Sequence, residues 1–569
     1  MRQTGCFRVR AGMRCYPDDW EERGSGMSNT SRYDVLITGA KVIDGSGNPW
    51  FYGDVAIGGE RVVAVAPRGR IDPSTAKNVV DASGHVVCPG FIDIQSHSLV
   101  PFFTDGRSLS KVTQGVTTEI LGEGWTPAPF GGKIGQALAG YADVPDEIIQ
   151  RIKTWSRFSD WLDFLGEVGI SVNYGSFLGG GTLREYVKGW ELGQGTTEEM
   201  ETMLRVVREV MEDGAFGVAT ALIYPPNSYT TDEELYETCR VIAEYGGVYI
   251  THMRSEADEF LEELAETIDL ARQTGCALEL YHLKVGGKRN WPKMATAIEM
   301  VNAARAEGLD ITADMYPYIA GGTGLASAIP NWAAADGKLL DNLRDPDTRE
   351  RIRHELVEPT GGWEPLATLA GPEGVLVTEL KSAGNQQYSG KRLSEIAEAR
   401  GQHWTDCLMD LVLAEEEWIF TIYFMMTEDN LPAQLQQPWM KISTDAAGLD
   451  PAISGHAVTH PRSYGTYTRV LGKYGREDGV LTLEDAVRKM SSAVADRLSL
   501  RDRGQLRAGM YADVVIFDPD TVSDNATFEN PHQLSTGIRD VWVNGQRVLD
   551  NGTHTGAKAG MPVYGPGRT

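Results

Sequence analysis

Both ends of the chain alternate short apolar runs with turn-forming residues. The N-terminal part contains "YDVLITGAKVIDGSG" and "GDVAIGGERVVAVAP", and the C-terminal part contains "GMYADVVIFDPDT" and "IRDVWVNGQRVLDNG". Runs rich in β-branched residues and punctuated by Gly, Asp and Asn predict short strands joined by hairpins, and the Asn-Gly pair is a strong hairpin signal. We therefore predict one small β domain formed by residues 32–88 and 499–569 together.

The middle of the chain alternates strands with amphipathic helices. "EEMETMLRVVREVMEDG" has apolar residues at helical spacing and stops at Gly214, after which "FGVAT" is typical of a strand. The same alternation continues through "VYITH", "ALELYHLK" and "LDITADMYPY". A repeated strand-then-helix order over more than about 200 residues predicts an α/β fold, a (β/α)8 TIM barrel over residues 89–498.

Three stretches depart from these patterns. Residues 131–170 and 330–400 are rich in Gly, Pro and charge, and we interpret them as insertions in the barrel that are helical in part. Residues 1–31 show no hydrophobic periodicity, which predicts a disordered N-terminal extension.

Composition excludes several classes of partner. A net charge of -26 and a pI near 4.9 argue against binding to nucleic acids or anionic membranes, because both depend on basic surface. No apolar run is long enough to span a bilayer, so the expected location is the cytoplasm. The six cysteines are scattered without a Cys-x-x-Cys pair, and we expect reduced thiols.

Polar side chains stand where several predicted strands end. The carboxyl ends of barrel strands meet at one rim, so side chains far apart in sequence converge there. Imidazoles and carboxylates gathered in this way predict a site for a divalent metal, most plausibly zinc. The candidate ligands are His97, Glu123, His252, His282 and Asp445.

Each of these residues also has an ordinary structural interpretation. A single histidine is more often a hydrogen-bonded core or surface residue than a ligand, and Asp445 could cap a helix. Independent structural roles do not readily explain three histidines and an aspartate that all close apolar strands of one barrel. The joint pattern therefore favours the metal site.

Several motifs together resemble the N-acyl-D-amino-acid deacylase (D-aminoacylase) branch of the amidohydrolase superfamily. The resemblance runs from about residue 33 to residue 555. It implies a metal-bearing barrel with a flanking β-sandwich, the latter formed by the N- and C-terminal segments. The motifs are "PGFIDIQSHS", "QGVTTEILGEG", "THMRSE", "YHLKVGGKRNW", "DMYPYIAGGTGL", "ISTDAAG" and "HPRSYGTYTRVLGKY".

Two positions depart from the family pattern. Amidohydrolases usually carry His-x-His on the first strand, and Gln95 stands here at the first position. An amide oxygen binds zinc weakly, so we expect one tightly bound metal and a second, weaker one. Glu123 stands at or beside a position where this branch tends to carry a cysteine. A carboxylate can replace a thiolate as an anionic ligand, so the tight site can still be built from Glu123, His252 and His282.

The resemblance also implies how the site would act. Zinc would make hydroxide available near neutral pH, and Asp445 would take the proton and pass it to the departing amine. Four residues correspond to family residues around the substrate carboxylate, where Arg can donate two parallel hydrogen bonds and a phenol one. They are Lys284, Arg462, Tyr224 and Tyr316.

The leading hypothesis is a zinc-dependent hydrolase of N-acyl-D-amino acids that releases a carboxylic acid and the amino acid. One alternative is a dipeptidase or cyclic-amide hydrolase on the same scaffold, with the same metal and base but a different pocket. A second alternative is a catalytically silent binding protein, which the departure at Gln95 suggests and the retained histidines oppose. The sequence leaves the side-chain specificity and the oligomeric state open.

Overall fold

The computed structural model of the chain describes residues 31–137, 144–416, 419–454 and 458–569. The predicted N-terminal extension therefore lies outside the described residues, except for Ser31. Part of the first predicted insertion, residues 138–143, also lies outside them.

Strands and helices alternate through most of the described chain. The strands are β1 Tyr33–Val42, β2 Phe51–Gly58, β3 Arg61–Pro67, β4 Ala76–Asp81, β5 Val86–Pro89, β6 Phe91–Asp93, β7 Val116–Leu121, β8 Asn173–Ser176, β9 Leu178–Gly179, β10 Gly217–Ala221, β11 Val248–His252, β12 Ala277–Leu280, β13 Ile311–Met315, β14 Gly321–Gly324, β15 Val375–Val377, β16 Lys391–Arg392, β17 Phe420–Tyr423, β18 Met440–Ile442, β19 Val514–Phe517, β20 Ile538–Val543, β21 Gln546–Asp550 and β22 Thr553–His554. The α-helices are α1 Leu99–Thr104, α2 Leu109–Val112, α3 Asp146–Ile152, α4 Phe158–Val168, α5 Gly180–Lys188, α6 Thr197–Asp213, α7 Asp232–Glu244, α8 Phe260–Thr274, α9 Lys293–Ala306, α10 Leu339–Arg344, α11 Pro346–Val357, α12 Leu366–Ala370, α13 Leu393–Arg400, α14 Trp404–Glu415, α15 Leu431–Leu435, α16 Arg462–Arg469, α17 Leu483–Met490 and α18 Ser492–Arg497.

The strands of the middle region pair in parallel and in chain order. One sheet has the order β6-β7-β8 and a second has the order β9-β10-β11-β12-β13-β18. The segment after β18 then pairs with the segment after β6, because His97 N donates to Ala446 O (3.1 Å) and Asp445 N donates to Gln95 O (3.0 Å). The last parallel strand is thereby joined to the first.

Helices cover these parallel strands through their apolar faces. On α6 the buried residues recur at helical spacing, as in Met203, Val207 and Val210. They belong to the main hydrophobic core, which also contains Leu278 of β12 and Ile311 of β13. Burial of apolar surface between the helices and the sheet is thus the main stabilising contribution of this region.

The two ends of the chain share one sheet. Strands β1 to β5 and β19 to β22 form a nine-stranded sheet, in which β5 pairs with β19 in antiparallel register. Beyond this sheet the C-terminal residues run back to the parallel strands. Tyr174 N donates to Met561 O (3.1 Å), and Val563 N donates to Tyr174 O (2.8 Å).

The segment between β13 and β18 includes the second predicted insertion. It contains an antiparallel sheet of order β14-β17-β15-β16, which begins at Gly321 and ends at Tyr423. Its helices and strands enclose a separate apolar core that includes Leu343 and Leu408. This sheet extends past residues 330 and 400 on both sides, and its first strand carries little signal in the sequence because "GGTG" in β14 lacks the alternation that marks a strand.

Within the described residues, no helix is both long and apolar enough to cross a lipid bilayer.

Candidate active site

Five strand ends deliver polar side chains to one place. His252 is the last residue of β11, and the other residues lie just beyond the strands that precede them. The connections that place them are His97 after β6, Glu123 after β7, His282 after β12 and Asp445 after β18. The parallel order of these strands puts all five ends on one rim.

Glu123 lies at the centre of the cluster. Its Oε1 lies 3.3 Å from His252 Nδ1 and 3.4 Å from His282 Nε2. The three residues are buried, and one ligand atom from each lies within 4.8 Å of the others. A carboxylate and two imidazoles are suitable ligands for zinc, so the donor set fits a divalent metal.

A second group shares Glu123. His97 Nε2 lies 3.2 Å from Glu123 Oε2 and 2.9 Å from Asp445 Oδ1. His97 is about a third exposed, whereas both carboxylates are buried. This group of His97, Glu123 and Asp445 is therefore the more exposed of the two positions that could hold a cation.

Gln95 lies between the two carboxylates. Its amide Nε2 donates to Glu123 Oε2 (2.5 Å) and to Asp445 Oδ1 (3.2 Å). Its Oε1 accepts from the Ser443 hydroxyl at 3.3 Å. The nitrogen of the amide, rather than the oxygen that could bind a metal, thus faces the cluster.

The electrostatics of the cluster favour positive charge. Burial alone would raise the pKa of Glu123, but hydrogen bonds from His252, His282 and His97 hold this pKa well below its usual value. Burial would lower the pKa of His97, but hydrogen bonds to Asp445 and Glu123 raise it to about 9. The negative charge that holds protons on the imidazoles would equally attract a cation.

Asp445 is held by two partners. Its Oδ1 faces His97, and its Oδ2 accepts from Arg462 at 2.5 Å. Burial would raise the pKa of Asp445, but the positive charges of Arg462 and His282 hold it below its usual value. The carboxylate therefore stays ionised and can accept a proton.

Two site residues have left-handed backbone conformations. His282 has a φ of 32° and Asp445 a φ of 49°, a region that residues other than glycine adopt uncommonly. Such conformations cost free energy and persist where the surrounding structure holds them, as at functional sites. Both residues belong to the cluster around Glu123.

The four predicted substrate residues all lie around the cluster. Lys284 Nζ is 2.6 Å from Glu256 Oε2 and 2.7 Å from His282 Nδ1. The guanidinium of Arg462 lies over the Tyr316 ring, 4.6 Å from its centre. The Tyr316 hydroxyl is buried and finds no hydrogen-bond partner in the part of the chain that the structure describes. The Tyr224 ring lies 5.6 Å from the His252 ring.

Two further residues contact this set, and the sequence analysis assigned neither of them. Glu256 contacts His252, His282 and Lys284. His460 donates from Nε2 to Ala320 O (2.9 Å), and its Nδ1 accepts from Arg462 N (3.0 Å). The spacing of Glu256, four residues after His252 in "THMRSE", was the one signal for it.

Two cavities flank the cluster. One is lined in part by His282, Lys284 and Tyr316. The other is lined in part by His97, Glu123 and Trp125. The candidate ligands therefore border a small cavity on each side.

Comparisons with known proteins give a consistent result. Residues 442–549 match the model of a family described as the amidohydrolase family. A D-aminoacylase from Alcaligenes xylosoxydans xylosoxydans is 33% identical over 534 residues, which cover 94% of this chain and 98% of that protein.

Two solved structures are similar over the same extent. A D-aminoacylase, described for a binuclear metal centre with one-metal activation and second-metal attenuation, is 32% identical with a TM-score of 0.76. The match covers 94% of this chain and all of that one. The second is an N-acyl-D-glutamate deacylase from Bordetella bronchiseptica, in complex with zinc and a phosphonate that mimics the tetrahedral intermediate. It is 28% identical with a TM-score of 0.76, and the match covers 94% of this chain and 99% of that one.

Proposed function

This chain belongs to the D-aminoacylase family of amidohydrolases, and from that premise we propose that it hydrolyses N-acyl-D-amino acids to a carboxylic acid and a free D-amino acid. The substrate is a small molecule, and the bond broken is a linear amide. The observation that carries this proposal is the convergence of Glu123, His252, His282 and Asp445 at one rim of the parallel strands.

The cofactor is zinc. Glu123, His252 and His282 would hold one ion tightly, because all three are buried and their ligand atoms are close together. His97, Glu123 and Asp445 would hold a second ion more weakly. When bound, zinc supplies Lewis-acid activation of both a water molecule and the amide carbonyl.

Asp445 acts as the general base and then as the general acid. Its Oδ1 accepts the proton from the attacking water and returns it to the departing amine. The contact between Arg462 and Oδ2 fixes the carboxylate in one orientation, so that Oδ1 faces the reacting groups.

The substrate carboxylate is bound on the side of Arg462 and Tyr316. Among the described residues the Tyr316 hydroxyl has no hydrogen-bond partner, so it can donate to a bound carboxylate. Arg462 supplies positive charge above the same ring. Lys284 and Tyr224 complete the proposed substrate-binding set.

We further infer the domain organisation from the strand order. If β8 and β9 are counted as one strand, eight parallel strands pair in chain order, and a bridge between Ser96 and Ala446 links the last of them to the first. This closed order supports a (β/α)8 barrel over residues 89–498. Residues 32–88 and 499–569 would form the flanking β-sandwich, with their shared nine-stranded sheet as the support for it. The two insertions would then lie in the barrel segment.

A substrate panel with metal counting tests the proposed function. We expect turnover of N-acetyl-D-amino acids to exceed turnover of the L-forms, of dipeptides and of hydantoins. The variant Asp445→Asn should keep its zinc and lose kcat by about 10²- to 10⁴-fold, the usual contribution of general acid-base catalysis. The exposed Asp341 offers a matched control, and Asp341→Asn should behave as the wild type.

Two outcomes would contradict the proposal. Full activity of Asp445→Asn would exclude its role in proton transfer. Zinc-loaded wild-type protein that leaves every N-acyl-D-amino acid intact would exclude the proposed reaction.

A further inference from the structure

Glu256 lies behind the two buried histidines. Glu123 faces one nitrogen of each ring, and Glu256 faces the other. Glu256 Oε2 lies 3.0 Å from His252 Nε2, and Oε1 lies 3.2 Å from His282 Nδ1. Both imidazoles are thus held between two carboxylates, one of which belongs to the candidate ligand set.

The surroundings of Glu256 are closed and ordered. Its side chain is 5% exposed. Its backbone makes hydrogen bonds with two other segments of the chain. Glu256 N donates to Glu364 Oε2 (3.0 Å), and Gly286 N donates to Glu256 O (2.7 Å). The carboxylate is therefore fixed relative to the loop that carries His282.

Lys284 balances the charge of Glu256. Its Nζ lies 2.6 Å from Glu256 Oε2, so the buried carboxylate has an opposite charge in direct contact. The same Nζ lies 2.7 Å from His282 Nδ1. An ammonium group can only donate a hydrogen bond. If Nδ1 is unprotonated, it can accept from Lys284; if Nδ1 carries a proton, it must donate to Glu256 instead. Lys284 and Glu256 therefore compete for Nδ1.

This competition decides which nitrogen of His282 carries the proton. If Lys284 donates to Nδ1, the proton of the neutral ring lies on Nε2, the nitrogen that faces Glu123, and that nitrogen cannot bind a metal. If Glu256 accepts from both Lys284 and Nδ1–H, then Nε2 keeps its lone pair. A carboxylate offers an acceptor oxygen to each of these two groups, whereas an amide would present its donor NH2 to one of them.

We propose that Glu256 is a positioning residue that sets the tautomer and orientation of His252 and His282, so that the nitrogens facing Glu123 are free to bind the metal. It raises the zinc affinity of the site without being a ligand itself. The inference rests on the proposed function only in taking zinc as the metal, because the affinity can be measured without any substrate.

Zinc affinity, measured by competition with a chromophoric chelator, tests this role. We expect Glu256→Gln to weaken zinc binding by about 10- to 100-fold, the range seen when a residue that orients metal-binding histidines is lost. Activity should recover, at least in part, at saturating zinc. The exposed Glu259, three residues along the same loop, provides the control Glu259→Gln, which should bind zinc as the wild type does.

A double-mutant cycle tests the competition with Lys284. Removing Lys284 removes the group that would donate to Nδ1, so Glu256→Gln/Lys284→Met should bind zinc more tightly than Glu256→Gln alone. Equal affinities of the double and single variants would overturn the tautomer argument. Lys284→Met is itself expected to raise KM, because Lys284 belongs to the proposed substrate-binding set, so zinc affinity is the only readout of the cycle.

Loss of folding in Glu256→Gln would be detected by its melting temperature, and Glu256→Asp then carries the test. Its shorter carboxylate keeps the charge but cannot reach both rings, so we expect a several-fold loss of zinc affinity. Wild-type zinc affinity in a folded Glu256→Gln or Glu256→Asp protein would overturn the proposal. Failure of the proposed function would look different, because zinc would bind and these affinity differences would remain while no substrate was cleaved.

Discussion

At the scale of single residues, Glu123 determines the character of the site. A carboxylate has two oxygens, and each faces a different group: Oε1 faces His252 and His282, while Oε2 faces Gln95 and His97. The sequence departs from the family pattern at both Gln95 and Glu123, and the structure places these two residues in direct contact. The two departures are therefore coupled in space.

The Gln95 amide should limit the second metal position. Its Nε2 donates hydrogen bonds towards the carboxylates that would hold a second cation, and a cation there would require the amide to turn. An imidazole at this position would offer a lone pair instead. We therefore expect Gln95→His to bind the second zinc ion more tightly than the wild type does, as measured by titrating the one-zinc protein with zinc.

The exposed Gln387 provides a control for the Gln95 experiment. Gln387→His should bind the second zinc ion with the same affinity as the wild type. A Gln95→His protein with wild-type affinity for the second ion would contradict the role assigned to the amide.

At the scale of elements, local signals determine where the helices begin and end. The Thr196 hydroxyl accepts from Glu199 N (3.3 Å), and the Glu199 carboxylate accepts from Thr196 N (2.8 Å), so α6 begins with a reciprocal capping box. The helix ends at Gly214, whose φ of 103° is readily accessible only to glycine. Both ends of α6 are thus encoded within a few residues of them.

Loss of this cap should loosen the first turn of α6. Thr196→Ala removes the acceptor for Glu199 N, which typically costs about 0.5–2 kcal/mol of helix stability. We expect faster hydrogen exchange in peptides that cover the start of α6, measured by mass spectrometry.

Thr202 lies within the same helix and offers a matched control. Its hydroxyl donates to the backbone carbonyl of Glu198 (2.9 Å) and takes no part in the capping box. Thr202→Ala should leave exchange at the start of α6 unchanged. Equal exchange in the two variants would show that the capping box does not determine where α6 begins.

At the scale of the whole molecule, a buried polar network joins the terminal sheet to the parallel strands. Asp513 Oδ1 accepts from Asn544 N (2.8 Å), and its Oδ2 accepts from Asn173 Nδ2 (3.2 Å) and pairs with Arg503. Asn173 lies in β8, whereas Asp513 and Asn544 belong to the terminal segment. One buried carboxylate thus connects two parts of the chain that are 340 residues apart in sequence.

Removal of that carboxylate should destabilise the whole protein. Asp513→Ala leaves Arg503 buried without its partner, and breaking a buried ion pair in this way typically costs about 3–5 kcal/mol. We expect a clearly lower melting temperature in a thermal unfolding experiment. The exposed Asp520 serves as the control, and a melting temperature of Asp513→Ala no lower than that of Asp520→Ala would contradict this account.

Much of the fold and of the candidate site could be predicted from the sequence, because the relevant signals are local. Period-two and helical patterns predicted the alternation of strands and helices, and the motifs predicted the family, which the comparisons confirm. Each candidate ligand ends or follows an apolar strand, so topology alone was enough to predict that His97, Glu123, His252, His282 and Asp445 would lie on one rim. Their individual roles stay predictions.

By itself, the sequence determined the order of elements, the family and the residues able to bind a metal, since these depend on neighbours along the chain. Only the tertiary structure decided the contacts of Glu256, the direction of the Gln95 amide and the sheet within the insertion. The reason is physical: which hydrogen bonds a buried polar group makes depends on groups that folding brings to it from distant parts of the chain.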